Sequence, residues 1–200
     1  MKANLIHEHL KGSYDILCIG GSAGSLEMLL QIVPHLKKEL QIATVIVVHR
    51  KSSEDSVLIE ILTKKTDLIV KEVEDKEEIL PNVIYVAPGD YHLLIEKDGS
   101  FSLDDSERVN YSRPSIDVTF ESAAEACGKA VIGVLLSGAN EDGVAGLQAI
   151  KRKKGFVAVQ NPASAIVPTM PQLAVNKVEV DMLFDLDTVE KLIKKLGVAI

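Results

Sequence analysis

Ser22 lies between two glycines in the stretch LCIGGSAGSLEML, residues 17–29. Such a turn between an apolar strand and a helix either binds phosphate on glycine backbone or exposes a serine hydroxyl as a nucleophile. The dinucleotide fingerprint needs glycines at i, i+2 and i+5, where this chain has Gly20, Ser22 and Ser25. The Walker pattern fails too, because no Gly-Lys-Ser/Thr follows. The pattern that fits is G-x-S-x-G, which makes Ser22 a candidate nucleophile. A turn that only binds an anion or lets the helix pack is the alternative.

His49 directly follows the β-branched run TVIVV, residues 44–48. An imidazole at that strand end could take the serine proton as a general base and return it to the leaving group. The alternative is a loop histidine whose ring hydrogen-bonds to backbone. The other histidines lie in the N-terminal tail, late in the first predicted helix and at the start of a predicted hairpin: His7, His9, His35 and His92, the last being the second choice.

Asp142 lies in the segment SGANEDG, which follows the most hydrophobic strand, VIGVLL. A carboxylate at this point could accept the other ring N–H of His49, fix its tautomer and stabilise the imidazolium. The alternative is that Asp142 or Asn140 caps the helix that begins near Gly143.

Strand-like and helix-like stretches alternate along the chain. The pattern predicts strands over 14–20, 44–48, 68–73, 83–86, 130–136, 156–160 and 178–184, and helices over 26–36, 57–62, 115–127, 143–153 and 187–196. A proline-rich connection precedes the last strand, and HLLIEKDGSFSLD predicts a hairpin around Asp98-Gly99. We therefore expect a single α/β domain: a doubly wound, mostly parallel sheet flanked by helices on both faces, with an antiparallel β-hairpin. Because ligands collect at the carboxyl ends of such strands, Ser22, His49 and Asp142 are expected to meet there.

Composition limits the classes of function. The chain has 200 residues and a formal net charge of -7, which argues against nucleic-acid binding. Basic residues cluster only at Arg50-Lys51 and at 151–154, the latter interpreted as a solvated helix end. No apolar stretch approaches about 18 residues, and the start lacks a secretory h-region. Cys18 and Cys127 are predicted to be reduced, buried thiols. We expect a cytoplasmic protein without membrane insertion.

Six segments, in order, carry a resemblance to a known family: IGGSAGSLE, VVHR, YVAPGDYHLLI, RPSIDVTF, LLSGANEDGVAGL and ASAIVPTMPQLAV. Together they resemble the catalytic domain of the chemotaxis protein-glutamate methylesterases, the CheB family. The resemblance covers residues 14–200, after a tail of residues 1–13. Typical members carry an N-terminal receiver domain, for which the tail is too short. Control by phosphorylation within the chain is therefore not expected, and a separate receiver or signalling protein is a candidate partner.

The resemblance implies a serine hydrolase with Ser22 as nucleophile, His49 as base and Asp142 as orienting acid. It implies hydrolysis of glutamate γ-methyl esters on the cytoplasmic helices of chemoreceptors, releasing methanol, and allows deamidation of receptor glutamines. No metal or cofactor is implied. The oxyanion and substrate-binding candidates lie in the serine turn, the last loop and the RPSID segment: Ala23, Gly24, the turn 138–140 with Ala139 and Asn140, and Arg113. Arg113 is expected to position acidic receptor helices, or else to form an ion pair with Asp117 or another carboxylate.

The sequence departs from the family pattern at three positions. Ser25 replaces a second glycine, Ala23 lacks the hydroxyl of a threonine, and Ala139 stands where methionine is common. These changes leave two alternatives open. One is an esterase or amidase with a non-receptor substrate, and the other is a catalytically idle signalling scaffold.

Overall fold

The apolar runs of the sequence form a central parallel sheet in the computed structural model, which describes residues 15–49 and 55–197. In chain order the strands are β1 (Ile16–Gly21), β2 (Ala43–Val48), β3 (Ile69–Glu72), β4 (Val83–Val86), β5 (His92–Ile95), β6 (Phe101–Asp104), β7 (Val131–Leu135), β8 (Phe156–Gln160) and β9 (Met182–Phe184). Seven of them pair side by side in the order β3-β4-β2-β1-β7-β8-β9. All these pairings are parallel, while β5 and β6 form a separate antiparallel hairpin.

Helices cover both faces of this sheet. In chain order, the helices of the described residues are α1 (Leu26–Ile32), α2 (Asp55–Thr63), α3 (Ile116–Cys127), α4 (Val144–Arg152), α5 (Thr169–Lys177) and α6 (Val189–Gly197). Alternate residues of β1 contribute to two buried apolar clusters. One cluster joins the sheet to α3, α4, α5 and the hairpin, and the other joins it to α1, α2 and α6. The predicted doubly wound fold is confirmed, and strands buried on both faces explain the near-continuous apolar runs.

The order of the strands places the candidate residues at one point of the sheet edge. From β1 the chain first builds outward through β2 and later adds β7 on the opposite side of β1. This reversal is the topological switch point at which α/β sheets open a crevice beyond their strand ends. Ser22 follows β1, His49 follows β2 and Asp142 follows β7.

Three parts of the predicted secondary structure are wrong. The stretch interpreted as a proline-rich connection contains α5, and the last strand begins only at Met182. Pro171 is tolerated because it lies in the first turn of the helix, where an N–H has no partner within the helix. The first helix ends at Ile32 and passes into a 3₁₀ turn at Val33–His35, because Pro34 cannot continue the α-helical hydrogen bonds.

Some sequence features lie outside the described residues, namely the N-terminal tail with His7 and His9 and the Arg50-Lys51 pair. Within residues 15–49 and 55–197, no helix combines the length and apolar character needed to cross a membrane.

Candidate active site

The turn after β1 holds Ser22 by its backbone. The N–H of Ser22 donates to Ser137 O at 2.9 Å, and its carbonyl accepts from the N–H and the hydroxyl of Ser25 at 3.0 and 2.7 Å. Gly24 has a φ of 78°, and a Cβ there would lie 2.7 Å from Ile166 Cβ. The glycine is therefore required both by the backbone conformation and by the close approach of Ile166. Ser25, which departs from the family pattern, is buried and fastens the turn.

His49 lies beside Ser22 because their strands are neighbours in register. Gly21 pairs with Val48, and the N–H of His49 donates to Gly21 O at 3.3 Å. Strands lie about 4.8 Å apart in a sheet, so the residues that follow these two are also neighbours. The imidazole is largely buried, with 13% of the side chain exposed, and its Nε2 lies 2.7 Å from Asp142 Oδ2.

Asp142 is fully buried and surrounded by donors. Besides His49, they are the backbone N–H groups and side chains around the start of α3: Ile116 N at 2.7 Å, Ser115 Oγ at 2.8 Å, Asp117 N at 3.1 Å and Asn110 Nδ2 at 3.2 Å. Burial raises the pKa of Asp142, but the hydrogen bonds from His49, the two amides and Ser115 outweigh it and hold that pKa below the ordinary aspartate range. Asp142 is therefore an ionised acceptor that can fix the His49 ring.

The carboxylates of Asp142 and Asp117 cap each other's helices. Asp142, just before α4, accepts the first two amides of α3, while Asp117, in the first turn of α3, accepts Gly146 N of α4 at 2.7 Å. Asp142 makes no side-chain cap on its own helix, whose N-cap is Gly143. This exchange locks the loop before α4 against the start of α3. Burial, together with the nearby charges of Asp142 and Glu121, raises the pKa of Asp117 to about 7.

The second ring nitrogen of His49 faces a different serine. His49 Nδ1 lies 3.3 Å from Ser112 Oγ, and among the described residues no hydrogen bond joins Ser22 Oγ to His49. Since Asp142 takes the Nε2 proton, Nδ1 is the nitrogen left to act as a base. The structure thus joins His49 to Asp142 as expected, while Ser22 lies at the neighbouring strand end without the expected contact.

Two loops beside Ser22 offer backbone N–H groups for an oxyanion. Gly138 donates its N–H to Val167 O at 3.1 Å, so it is occupied. The N–H groups of Ala23, Ala139 and Asn140 make no hydrogen bond to any residue of the described ranges. Ser137 joins the two loops, because its Oγ lies 2.8 Å from Ala23 O. The available donors therefore include those of Ala23, of Gly24 and of the 139–140 backbone.

Other candidate residues have structural contacts. The guanidinium of Arg113 donates to the backbone carbonyls of Asp105 and Ser106, and it forms no ion pair with a carboxylate within the described ranges. His92 is buried, with its ring nitrogens bonded to Glu107 O and Ser115 N. The helix end at 151–154 carries ion pairs to Asp181 and Glu125.

Both cysteines are free. Burial raises the pKa of the Cys18 thiol well above its usual value and that of Cys127 to about 12, so neither is a reactive thiolate.

Sequence reasoning missed Asn110 and Ser112, which contact Asp142 and His49 from a loop far away in the chain. No periodicity marks them, although an asparagine readily adopts the left-handed conformation that Asn110 has, with a φ of 51°.

Comparisons with known proteins agree on one family. A family model described as CheB methylesterase matches residues 17–193. A putative protein-glutamate methylesterase/protein-glutamine glutaminase of Leptospira interrogans is 44% identical over 184 residues, 92% of this chain and 95% of that protein. The protein-glutamate methylesterase/protein-glutamine glutaminase of Salmonella typhimurium is 34% identical over 185 residues, 91% of this chain and 53% of the relative. The crystal structure of the Thermotoga maritima CheB methylesterase catalytic domain superposes with a TM-score of 0.86 at 33% identity, covering 91% of this chain and 98% of that one.

Proposed function

The chain belongs to the CheB methylesterase family, and we propose that it hydrolyses the γ-methyl esters of glutamate residues in chemoreceptors, giving glutamate and methanol. The observation that carries this proposal is the buried His49–Asp142 pair at 2.7 Å, at the sheet edge beside Ser22. Deamidation of receptor glutamines, which the printed names of the relatives include, is proposed as a second activity of the same site.

In the proposed mechanism, Ser22 Oγ attacks the ester carbonyl while His49 Nδ1 takes its proton. Asp142 holds the Nε2 proton and stabilises the imidazolium. The bond to the methoxy group then breaks, and His49 returns the proton so that methanol leaves a γ-glutamyl ester on Ser22. Water, deprotonated at the same nitrogen, hydrolyses this ester and restores the Ser22 hydroxyl. Nδ1 must leave Ser112 and approach Ser22 before the first step, because it lies 3.3 Å from Ser112 Oγ.

The developing oxyanion is proposed to accept hydrogen bonds from the N–H of Ala23 and from one N–H of the Ala139–Asn140 backbone. Gly24 supports this site by allowing the turn to expose Ser22. Removing one donor of this kind costs other enzymes about 100- to 1000-fold in kcat.

The proposed partner is the cytoplasmic signalling region of a methylated chemoreceptor, and the proposed location is the cytoplasm. The catalytic domain is proposed to span residues 14–200, in keeping with a family match over 17–193. Arg113 is proposed to act through the shape of the loop that it fastens to Asp105 and Ser106, since its guanidinium is engaged by their carbonyls. A separate receiver or signalling protein is proposed as a second partner.

One observation favours a second candidate function, a catalytically idle signalling scaffold: Ser22 Oγ makes no hydrogen bond to His49 within the described residues. Incubation with methyl-esterified receptor fragments separates the two functions. If the protein is an esterase, the wild type releases methanol and a fluorophosphonate labels its Ser22. The Ser22→Ala variant then releases no methanol and is not labelled. A wild-type protein that is not labelled and releases no methanol would support the scaffold. Labelling with turnover of small esters but no methanol from receptor fragments would point to a non-receptor substrate.

A further inference from the structure

Asn110 contacts two buried carboxylates with one side-chain nitrogen. Its Nδ2 lies 2.9 Å from Asp117 Oδ2 and 3.2 Å from Asp142 Oδ1. An amide nitrogen carries two hydrogens, so it can donate to both oxygens at once. Asn110 therefore links the two residues that cap each other's helices.

The backbone of Asn110 ties the same residue to the rest of the site. Its carbonyl oxygen lies 3.5 Å from Asn140 Nδ2 and 3.5 Å from Ser112 Oγ. Ser112 in turn lies 3.3 Å from His49 Nδ1. Contacts from this one residue thus reach the acid, the base and the loop that carries candidate oxyanion donors.

A strained turn presents Asn110 to these partners. Val109 and Ser112 exchange backbone hydrogen bonds of 3.2 and 2.9 Å, and the two residues between them, Asn110 and Tyr111, have φ values of 51° and 63°. Two left-handed residues in succession are the signature of a type I′ turn, in which asparagine is favoured first and glycine second. Tyr111 is 96% exposed, so no packing of its side chain stabilises the turn.

The side-chain nitrogen of Asn110 lies where the carboxyl groups of Asp117 and Asp142 face each other. Asp117 lines a cavity of about 230 Å³ together with Asn110, Glu141, Gln148 and Lys177, and Lys177 is paired with Glu141 at 2.8 Å. Glu121 on the same helix adds a further negative charge near Asp117. His49, on the far side of Asp142, is the one basic group bonded to either carboxylate within the described ranges. Asn110 supplies the side-chain donor to Asp117 Oδ2, while the backbone N–H groups of Gly146 and Gly143 donate to the same carboxyl group.

We infer that Asn110 is a positioning residue that sets the Asp142 carboxylate against His49 by donating to Asp142 and Asp117 together. The kinetic consequence of this inference rests on the proposed esterase function, whereas the placement of Asp142 does not. The placement can be followed in the free protein by the NMR resonance of the His49 Nε2 proton, which reports its hydrogen bond to Asp142.

Asn110→Gly tests the inference, with Tyr111→Gly as the matched control. Glycine adopts a left-handed φ without strain, so both variants keep the turn, and only the first removes the amide. We expect Asn110→Gly to lower kcat for a small ester about tenfold, as loss of a charge-assisted hydrogen bond would. The kcat is expressed per active site counted by fluorophosphonate titration. KM should change less than about twofold. The His49 proton resonance should shift in Asn110→Gly, and Tyr111→Gly should resemble the wild type in both readouts.

The pH profile provides a further readout. Burial raises the pKa of Asp117 to about 7, and loss of the Asn110 donor would raise that pKa further. The titration of the Asp117 carboxyl, followed by the NMR resonance of its carboxyl carbon, should therefore move to higher pH in Asn110→Gly. The inference would be overturned by an unchanged His49 resonance in Asn110→Gly, together with an activity that falls only because fewer active sites react with the fluorophosphonate. A wild type that turns over no ester would instead contradict the proposed function, and the His49 resonance alone would then decide the role of Asn110.

Discussion

The two ends of the candidate site are built differently. Asp142 is fully buried and receives hydrogen bonds from His49 and from groups at the start of α3, whereas the Ser22 hydroxyl is held by no hydrogen bond to a described residue. The acid–base half is therefore preorganised by the fold. In the nucleophile half, only the backbone of the Ser22 turn is fixed by hydrogen bonds. The contact between Ser22 Oγ and His49 Nδ1 must therefore form when substrate arrives. A site of this kind can expose a serine without activating it in the resting state.

The largest effect is expected at the reacting groups themselves. Ser22→Ala and His49→Ala should each lower kcat by about three orders of magnitude or more, because the nucleophile and its base act as one unit. Ser22→Ala should barely change the free energy of unfolding, since its hydroxyl makes no hydrogen bond within the described ranges. Turnover of a methyl ester and urea denaturation measure the two quantities. Near-normal turnover in either variant would refute the assigned role.

Asp142→Ala should lower the stability of the protein, whereas Ser22→Ala should not. It removes the acceptor of the Ile116 and Asp117 amides inside the protein, so we expect the free energy of unfolding to fall by about 3 kcal/mol. Turnover should fall as well, somewhat less than in Ser22→Ala, because the base remains. Urea denaturation of Asp142→Ala and Ser22→Ala in parallel measures the difference between their free energies of unfolding. Equal stabilities of the two variants would contradict the claim that only the acid–base half is fixed by the fold.

The stability of the protein should depend on pH through Asp117. Burial raises its pKa from 3.8 to about 7, so between these values the folded state binds a proton that the unfolded state has lost. Stability should therefore fall as pH rises from about 4 to about 7. Asp117→Asn should flatten this dependence in thermal denaturation measured across that range. A variant with the same slope as the wild type would assign the dependence to another group.

A smaller effect is expected from Ser112. Its hydroxyl contacts His49 Nδ1, the nitrogen that must approach Ser22. The Ser112 hydroxyl therefore competes with the Ser22 hydroxyl for that nitrogen. Ser112→Ala should raise the rate of fluorophosphonate labelling at Ser22 about fivefold, which corresponds to a hydrogen bond of about 1 kcal/mol. A fall in the labelling rate would show instead that Ser112 supports the base.

The fold and the three strand-end residues could be predicted because their signals are local. Apolar runs such as TVIVV mark strands buried on both faces, and the rule for parallel sheets then brings Ser22, His49 and Asp142 to one edge. The helix α5 was not predicted because Pro168 at its N-cap and Pro171 in its first turn are typical of a connection, although its buried Met170 and Ala174 are four residues apart. A short amphipathic pattern is weaker evidence than two prolines.

The rest of the site could not be predicted, because it depends on tertiary contacts between segments distant in the chain. Asn110 and Asp142 are 32 residues apart, and Ser112 and His49 are 63 apart. The sequence offers Asp142 as a cap for the helix that begins near Gly143, but the helix that it caps is α3. Only the packing of α3 against the loop before α4 decides that choice.

The central claim is that the acid–base half is built in advance and the nucleophile half is completed on reaction. Crystal structures of the free protein and of its fluorophosphonate adduct test it most directly. We predict that the distance between His49 Nε2 and Asp142 Oδ2 stays near 2.7 Å in both, while Nδ1 leaves Ser112 and comes within hydrogen-bond distance of Ser22 Oγ only in the adduct. An adduct on Ser22 with Nδ1 still bonded to Ser112, or an adduct on Ser112 itself, would contradict the account.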